Sequence, residues 1–358
     1  MEHKPVVALD ASLAGGTSTG DSRYWTGLIR ALSQLDTGLD IVLLTNGEPH
    51  FELPGPHARV VALPAASPRW YSLIGWPLAA KRARAEVFHT QYSLSPLIDH
   101  GGVTTIHDVS FFVGPEWFRP RDRLLLTRSI PSTVRRAARV ITVSETSRRE
   151  IEHFIPAAIG KTVAIPNALD DGFAPPSREV ARTQVQADFG IDLPYALTVG
   201  TRWPRKNMDL AVQAVLKLEI DLELVVTGKP GWGPELSHPR IRRVGYVSDA
   251  QLAALYAAAE VYLAPSRHEG FGIPLLESWA ARTPVIASSG GAFSEVAGEA
   301  AVIVPSWEAE AWAQAITSLL SDSTKIERLK SLGTERLREF SWQRTAEATA
   351  AVYAALVP

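Results

Sequence analysis

Residues 266–287 read SRHEGFGIPLLESWAARTPVIA, and the fold of the chain can be reasoned outward from this stretch. The apolar run VYLA at 261–264 leads into it and predicts a buried strand. A polar turn, EGFG at 269–272, follows, and Pro274 then stands where a first helical residue is favoured, because an N–H would have no partner there. A second apolar run at 284–287 predicts the next strand. The stretch is therefore a strand, a glycine loop, a helix and a strand, and the helix N-terminus can hold an anion.

Two carboxylates frame this unit, because Glu269 lies in the glycine turn and Glu277 follows after seven intervening residues. Glu277 falls in the first turn of the predicted helix, where a carboxylate suits the macrodipole. Its two oxygens can also accept hydrogen bonds from a vicinal diol such as ribose. Gly270 and Gly272 let a ligand approach the backbone N–H groups. Taken singly, each glutamate is better explained as a solvated residue at a helix start, and only the whole constellation is specific.

This constellation resembles the E-x7-E segment of retaining glycosyltransferases with the GT-B fold, in the large family four that includes many sucrose, mannose and glucose transferases. The resemblance covers almost the whole chain, weakly up to residue 106 and strongly from 167 to 298. It implies an α/β protein of two Rossmann-like domains, each with a doubly wound parallel sheet, that face a cleft. Predicted strands and helices alternate in both halves of the chain, which is typical of parallel sheets covered on both faces.

A turn-rich segment at 165–177, IPNALDDGFAPPS, is the best candidate for a linker between the two halves. It resembles the family's P-N-G-V-D junction, with Ala168 in place of the glycine. We therefore expect an N-terminal, acceptor-binding domain at 1–166 and a C-terminal domain at 177–340 that binds the nucleotide-sugar donor. The resemblance further implies that a last helix, at 341–358, crosses back to the N-terminal domain.

Composition limits the class of protein. The chain has 358 residues, enough for two domains, and 46% of them are hydrophobic, so a sizeable core can form. A net charge of −2 argues against a general nucleic-acid binder. The absence of cysteine excludes disulfides, thiolate metal sites and cysteine nucleophiles. No apolar run approaches a membrane span, and MEHK at 1–4 leads into a strand rather than a signal peptide, so we expect a soluble cytoplasmic protein.

The first strand of the chain is followed by a glycine-containing loop at 10–22. A helix is predicted from about Arg23, so this loop is a candidate phosphate cradle, although many α/β turns look like it. Within the loop, TGDSRY at 19–24 resembles the family's T-G-x-G-R-Y segment, which faces the donor diphosphate. Gly20 and Ser22 are therefore expected at the donor, with Ser22 replacing the family's second glycine.

His107 follows a predicted strand at 103–106, at the sheet edge where ligands bind in folds of this kind. A lone histidine is more often structural than functional. However, TIHDV at 105–109 resembles the family's H-D turn, whose histidine touches the donor sugar, and VSETS at 143–147 resembles its V-S-E-x-S strand end. These resemblances make His107 a candidate site residue.

In the C-terminal half, GTRWPRKN at 200–207 lies between a predicted strand and a predicted helix. Arg205 and Lys206 therefore stand just before a helix N-terminus, where cations and backbone donors can converge on a phosphate. Two adjacent basic residues in a loop are usually only solvated. The whole pattern, however, closely matches the family's diphosphate-binding loop.

Further donor contacts are expected at two other strand ends. A strand at 222–227 ends in Gly-Lys, and GYVS at 245–248 resembles the family's base-binding turn. Ser248 and Gln251 also predict a capping box for the following helix. Together with the two glycine-containing loops, the resemblance gives as donor-binding residues Gly20, Ser22, Gly228, Lys229, Tyr246, Val247, Gly270, Phe271, Gly272, Ile273 and Glu277.

The resemblance implies transfer of a hexose, of mannose or glucose type, from a nucleotide-diphosphate sugar to an acceptor hydroxyl, with retention at the anomeric carbon, in glycan, polysaccharide or glycolipid biosynthesis. Glu269 would contact sugar hydroxyls and Glu277 the ribose. The expected catalytic residues are His107, Arg205, Lys206 and Glu269. The sequence contains no Asp-x-Asp motif, so we expect no metal and no cofactor besides the donor, with two cations in place of a divalent ion.

Three alternatives belong to other classes. A non-catalytic nucleotide-sugar-binding scaffold would share the fold, as would a GT-B-fold epimerase that acts on nucleotide sugars. A nicotinamide enzyme is disfavoured, because DASLAGG at 10–16 lacks the G-x-G-x-x-G pattern. Arg282 and Ser294 depart from the family's usual glycine and proline, and either change could alter donor preference.

A basic stretch at 119–149 carries nine arginines against two acidic residues, a local charge of 9 − 2 = +7. A solvated helical face is the simpler explanation. The alternative is a surface for a carbohydrate or lipid-linked acceptor that is anionic, or for peripheral contact with the inner face of a membrane. Trp70, Tyr71 and Trp76, ahead of KRAR at 81–84, would then add an amphipathic anchor, although core packing explains these aromatics as well.

Overall fold

A computed structural model describes residues 4–16, 20–52, 55–192, 194–232 and 237–357. These residues form two compact units. The first contains the chain up to residue 115, residues 119–170 and the chain from residue 340 onward; the second contains residues 116–118 and 171–339. Thr19, the first residue of the TGDSRY motif, and residues 1–3 of the N-terminal MEHK lie outside the described residues.

In the first unit, seven parallel strands of the described residues pair in the order β3-β2-β1-β4-β5-β6-β7. Short apolar runs form them, and the central ones are buried on both faces, as is typical of parallel sheets. The strands are β1 (Val6–Asp10), β2 (Asp40–Asn46), β3 (Ala58–Leu63), β4 (Val87–Gln91), β5 (Gly102–Thr105), β6 (Arg139–Thr142) and β7 (Thr162–Ala164).

In the second unit, six parallel strands of the described residues pair in the order β10-β9-β8-β11-β12-β13. In each sheet, the chain adds strands outward from a central strand to one edge. It then returns to the centre and adds strands toward the other edge, which is the doubly wound topology. The strands are β8 (Tyr195–Val199), β9 (Glu223–Thr227), β10 (Ile241–Gly245), β11 (Val261–Ala264), β12 (Val285–Ser288) and β13 (Val302–Val304).

Helices connect the strands in both units. They are α1 (Gly20–Gln34), α2 (Pro68–Trp70), α3 (Trp76–Arg82), α4 (Ser110–Val113), α5 (Pro120–Arg136), α6 (Glu145–Phe154), α7 (Arg178–Phe189), α8 (Met208–Leu216), α9 (Asp249–Ala258), α10 (Ile273–Ala280), α11 (Phe293–Ala297), α12 (Ala309–Leu320), α13 (Ser323–Leu337) and α14 (Trp342–Ala354). A π-helical turn, Tyr71–Gly75, joins α2 to α3.

Local chemistry explains where several helices begin. The Ser144 side chain accepts a hydrogen bond from the Ser147 N–H at 3.0 Å and caps α6. Ser248 and Gln251 form a full capping box at the start of α9, which confirms the prediction for this helix. Helix α1 and strand β13 differ from the sequence-based prediction. Helix α1 begins at Gly20 rather than near Arg23, and β13 was not anticipated because its three residues are too few to show a period.

The predicted fold class is confirmed in its essentials: two α/β units each contain one doubly wound parallel sheet.

Within the first unit, α14 packs against α1. Gly27 of α1 lies under the Trp342 ring, and a Cβ atom at Gly27 would come within 2.2 Å of Trp342 Cε2. Thr345 Oγ1 also donates to the Pro166 carbonyl at 2.8 Å. The close approach of the two helices therefore depends on the missing side chain at Gly27.

We expect Gly27→Ala to lower the free energy of unfolding by about 1–3 kcal/mol, because the added methyl group forces the Trp342 ring away from α1. Urea unfolding measures the effect. Gly20→Ala is the matched control in the same helix, since a Cβ atom there meets no atom of the described residues within 4 Å. Equal unfolding midpoints for the two variants would show that α14 does not depend on this contact.

Candidate active site

The strand order of the second sheet reverses between β8 and β11. Loops after neighbouring strands leave the same sheet edge at such a switch point, and ligands bind there in open parallel sheets. The loop after β8 contains GTRWPRKN at 200–207, and the loop after β11 contains PSRHEGFG at 265–272. The Arg267 N–H donates to the Arg205 carbonyl at 2.8 Å, and Asn207 Nδ2 donates to the Pro265 carbonyl at 3.3 Å. The two loops are therefore joined by one backbone–backbone and one side chain–backbone hydrogen bond.

One carboxylate binds both basic residues of the first loop. Arg205 Nη1 donates to Glu269 Oε2 at 3.0 Å and to the His268 carbonyl at 2.6 Å. Lys206 Nζ donates to Glu269 Oε1 at 2.6 Å. The three side chains are largely buried, with 11% of Glu269, 13% of Arg205 and 16% of Lys206 exposed. The structure thus brings together three of the four predicted catalytic residues.

The charges of this cluster do not cancel. Burial alone would raise the pKa of Glu269, but the positive charges of Arg205 and Lys206 outweigh burial and hold the pKa at about 2. Glu269 is therefore a carboxylate at neutral pH. Two cations and one carboxylate leave a net charge of 2 − 1 = +1 in a poorly solvated place. An anion that enters this site meets a cluster of net positive charge and little competing water.

Two glycines make room for Lys206. Gly200 has φ +139°, and a Cβ atom on it would lie 3.2 Å from Lys206 Cε. Gly228, after β9, has φ +138°, and a Cβ atom on it would lie 2.1 Å from the Gly200 carbonyl oxygen. Residues other than glycine rarely adopt these backbone angles. Gly228, expected as a donor contact, thus has a structural role under the loop that carries Arg205 and Lys206.

Glu277 lies in a different environment from the one that the sequence predicts. Helix α10 begins at Ile273, so Pro274 is its second residue and Glu277 lies beyond the first turn. Glu277 therefore lies outside the first turn, and the prediction that it interacts with the helix macrodipole is wrong. The side chain is 2% exposed, and Tyr256 Oη donates to Glu277 Oε2 at 2.9 Å. Burial raises the pKa of the neighbouring Tyr262 phenol, and the charges of Glu269 and Glu277 raise it further, so this ring lies within electrostatic reach of both carboxylates.

The remaining predicted donor residues of the second unit divide into two groups. Lys229 Nζ lies 5.2 Å from the centre of the exposed Tyr246 ring, a cation–π distance, and Val247 follows in the same turn. The turn at 270–273 leads directly into α10. Its Phe271 side chain is buried in the core, which leaves the backbone of this turn as the part that can approach a ligand.

His107 belongs to a second cluster, at the edge of the first sheet. His107 Nε2 lies 2.8 Å from Gln91 Oε1 and 3.7 Å from Asp21 Oδ1. Gln91 Nε2 donates to the Asp21 carbonyl at 3.3 Å, which turns the amide oxygen of Gln91 toward the histidine. Burial lowers the pKa of His107 more than Asp21 and Asp108 raise it, so the ring is neutral at pH 7. The Gln91 amide oxygen can only accept a hydrogen bond, so His107 Nε2 carries the ring proton. Nδ1 of this ring is then an acceptor.

The two residues expected in the glycine loop lie at the start of α1. Gly20 is the first residue of that helix, two positions before Ser22. The Ser22 hydroxyl is buried and donates to the Gly16 carbonyl at 3.3 Å. Ser22 therefore closes the loop on itself, a role that the family's glycine could not take because it has no side chain.

A buried polar network behind His107 was missed by the sequence analysis. His89 Nδ1 lies 2.5 Å from Tyr353 Oη of α14, and His89 Nε2 lies 2.8 Å from Thr105 Oγ1. Thr105 Oγ1 in turn lies 3.1 Å from Tyr24 Oη, and the Tyr24 ring meets His107 edge to face at 4.7 Å. Burial lowers the pKa of His89 to about 3, so this ring is neutral. The polar residues HTQ at 89–91, in a buried strand, were the available signal.

The described residues contain neither a metal-binding cluster nor a membrane-spanning helix. No group of three or more histidine, aspartate or glutamate side chains in this part of the chain could hold a metal ion. Every helix that the structure describes is too short or too polar to cross a membrane.

Comparisons with known proteins agree with this architecture. Residues 194–322 match the family model described as Glycosyl transferases group 1, and residues 19–173 match Glycosyltransferase Family 4. O-antigen chain mannosyltransferase B of Escherichia coli is 30% identical over 265 residues, which cover 70% of this chain and 69% of that protein.

Two solved structures show the same fold. Sucrose-phosphate synthase of Thermosynechococcus elongatus superposes with a TM-score of 0.76 over 99% of each chain, at 22% identity. The Anabaena HepE protein, in complex with UDP and glucose, superposes with a TM-score of 0.71 over 99% of this chain and all (100%) of that one, at 16% identity.

Fold and matches together define an enzyme of the GT-B glycosyltransferase class. Two doubly wound units are present, and the second has a basic loop and a glutamate loop at its switch point. The chain belongs to glycosyltransferase family 4. The predicted family, fold and enzyme class are thereby confirmed.

Proposed function

We propose that this enzyme transfers a hexose, of mannose or glucose type, from a nucleotide-diphosphate sugar to an acceptor hydroxyl, with retention at the anomeric carbon and without a metal ion. The observation that carries the proposal is the net positive cluster of Arg205, Lys206 and Glu269 at the switch point of the second sheet. The nucleotide donor is supported by the UDP and glucose bound to the HepE protein. The mannose-type sugar is supported by the name of the E. coli relative.

The chemistry of the leaving group fits the cluster. When the bond between the anomeric carbon and the diphosphate oxygen breaks, its electron pair stays on that oxygen. Negative charge therefore grows on the leaving group, and Arg205 and Lys206 stabilise it without a metal ion. Because Glu269 already fixes both cations, little reorganisation is needed as the charge develops. The acceptor oxygen then bonds to the anomeric carbon on the same face of the sugar, and its proton passes to the departing phosphate.

Glu269 has a second role in this scheme. A carboxylate offers about four acceptor sites. The two cations use one on each oxygen, and a side-chain hydrogen bond with Ser266 uses a third. The site that is left can accept a hydrogen bond from a sugar hydroxyl. We assign the ribose diol to the Glu277 carboxylate, which Tyr256 holds in place through Oε2. His107, a neutral ring with an acceptor at Nδ1, suits contact with a sugar hydroxyl.

The two units would divide the substrates. We assign the donor to the C-terminal domain, which carries the diphosphate and base turns, and the acceptor to the N-terminal domain. The acceptor is proposed to be a glycan or a lipid-linked sugar, as the O-antigen product of the E. coli relative supports. A lipid-linked acceptor would place the enzyme at the inner face of a membrane.

The test is a donor and acceptor assay. UDP-glucose and GDP-mannose are screened first by thermal shift, and the stabilising donor is then incubated with saccharide and polyprenyl-linked saccharide acceptors. Proton NMR of the product is expected to show the anomeric configuration of the donor, and EDTA to leave the rate unchanged. Arg205→Ala and Lys206→Ala should each lower turnover by about 10²–10³. Both variants should stay folded, at a lowered melting temperature, because each loses its ion pair with Glu269. An inverted product, loss of activity in EDTA, or epimerised donor without transfer would contradict the proposal.

A second experiment separates the two glutamates. Glu277→Gln replaces one acceptor oxygen with an NH2 donor, so calorimetry should show roughly tenfold weaker binding of the matching nucleoside diphosphate. Glu269→Gln should bind the diphosphate no more weakly than the wild type, because it removes a negative charge beside the phosphate site, and should lower turnover instead.

Thermal melts accompany both variants, since Glu277 is buried and its substitution should also cost some stability. If both variants bind the diphosphate like the wild type, the assignment of Glu277 to the ribose is wrong.

A further inference from the structure

The segment between β3 and β4 exposes a row of large apolar side chains. The turns of α2, the π-turn and α3 follow one another without a break from residue 68 to 82. Four side chains at helical spacing face solvent on this segment, and 50% of Trp70, 50% of Leu73, 40% of Ile74 and 38% of Leu78 is exposed. Tyr71 and Trp76 of the same segment are buried, so the four exposed side chains lie on its solvent side.

The sequence had suggested a different set of anchors. Tyr71 and Trp76 are each 1% exposed and belong to the core, and Tyr71 Oη donates to the Leu44 carbonyl at 2.7 Å. Only Trp70 of the three expected aromatics reaches the surface. The segment thus has two apolar sides, and the core uses one of them. The exposed row is left without a partner in the described residues of this unit.

The row is held in place by the fold. The Trp70 ring lies over Gly75, where a Cβ atom would come within 2.6 Å of Trp70 Cζ3. Ser95 Oγ donates to the Leu73 carbonyl at 2.6 Å, which brings the loop after β4, with the exposed Leu97, against the π-turn. We call Trp70, Leu73, Ile74, Leu78 and Leu97 the apolar face.

Charge around the apolar face points to one kind of partner. Residues 64–85 contain four basic residues and no acidic one, a local charge of 4 − 0 = +4. All four are exposed, and Lys81 forms a surface ion pair with Asp99 at 3.4 Å, which lowers the net charge beside the apolar face to 4 − 1 = +3. The basic residues are Arg69, Lys81, Arg82 and Arg84. Apolar side chains flanked by cations match an anionic bilayer, where the apolar groups enter the acyl boundary and the cations meet headgroup phosphates.

We propose that the apolar face and its basic residues dock this enzyme on a bilayer that contains anionic phospholipid. Docking would bring the N-terminal unit to a lipid-linked acceptor, and in that respect alone the inference rests on the proposed function. The binding itself depends on lipid and can be measured without donor or acceptor.

Cosedimentation with vesicles provides the test. The wild type should bind vesicles of phosphatidylcholine with phosphatidylglycerol, and bind weakly to phosphatidylcholine alone or at high salt. Leu73→Ser/Ile74→Ser should weaken binding at least roughly tenfold. Arg82→Gln/Arg84→Gln should weaken it roughly 25-fold, at about fivefold per charge. Melting temperatures confirm that the variants are folded.

Two control variants localise the effect. Leu216→Ser/Ile220→Ser removes comparably exposed apolar groups from the second unit and should bind like the wild type. Leu124→Ser/Leu125→Ser removes exposed apolar groups from α5. This helix lies in the basic stretch at 119–149 and is the alternative docking element. If the α5 variant loses binding while Leu73→Ser/Ile74→Ser keeps it, the proposed surface is wrong.

Fluorescence gives a second reading. Brominated phosphatidylcholine in the anionic vesicles should quench tryptophan emission in the wild type, and Trp70→Phe should abolish most of this quenching while it keeps binding. Donor turnover with a water-soluble acceptor should be unchanged in the face variants, so failure of the glycosyltransferase assay and failure of docking are told apart. The proposal is overturned if the wild type does not bind anionic vesicles, or if the face variants instead dissociate an oligomer seen by sedimentation velocity.

Discussion

The Glu269 carboxylate is the interaction on which the candidate donor site depends. It is the charged group that accepts from both Arg205 and Lys206, two cations that lie next to each other on the chain and are mostly withdrawn from water. Without a counter-charge, two adjacent cations at such low exposure would repel each other. They would also lose hydration without a compensating ion pair. With it, they are fixed in one place and still leave one net positive charge. The site is therefore arranged for an anion that develops charge during the reaction.

Backbone structure makes this arrangement possible. The reversal of strand order between β8 and β11 brings together two loops that are separated by about sixty residues in sequence. Gly228 lets the loop after β9 pass against Gly200, and Gly200 leaves space for the Lys206 side chain. The Arg267 to Arg205 backbone bond then fixes the relative position of the two loops. In this unit, the strand order and the glycine positions therefore determine where the charged side chains of the site lie.

The sequence was most informative where chemistry is carried by a short segment. The GTRWPRKN and EGFG loops predicted which residues would be close, because each loop follows a strand and the parallel fold places strand ends together. It was least informative where a partner comes from far away, as with Tyr256 for Glu277 and Tyr353 for His89. The π-turn at Tyr71–Gly75 also shifts the helical phase, so no regular period could show that Trp76 is buried while Trp70 is exposed.

Arg282 has φ +55°, an angle that suits the family's glycine better than arginine, and its side chain reaches Glu327 of α13 at 3.7 Å.

The most direct measurement of the central claim is a double-mutant cycle between Glu269→Gln and Lys206→Met, scored by the free energy of unfolding in urea. If the carboxylate is what permits the buried cation, Lys206→Met should cost less in the Glu269→Gln background than in the wild type, with a coupling energy of about 1–3 kcal/mol. Additivity within about 0.5 kcal/mol would mean that the two charges do not depend on each other and would contradict this account of the site.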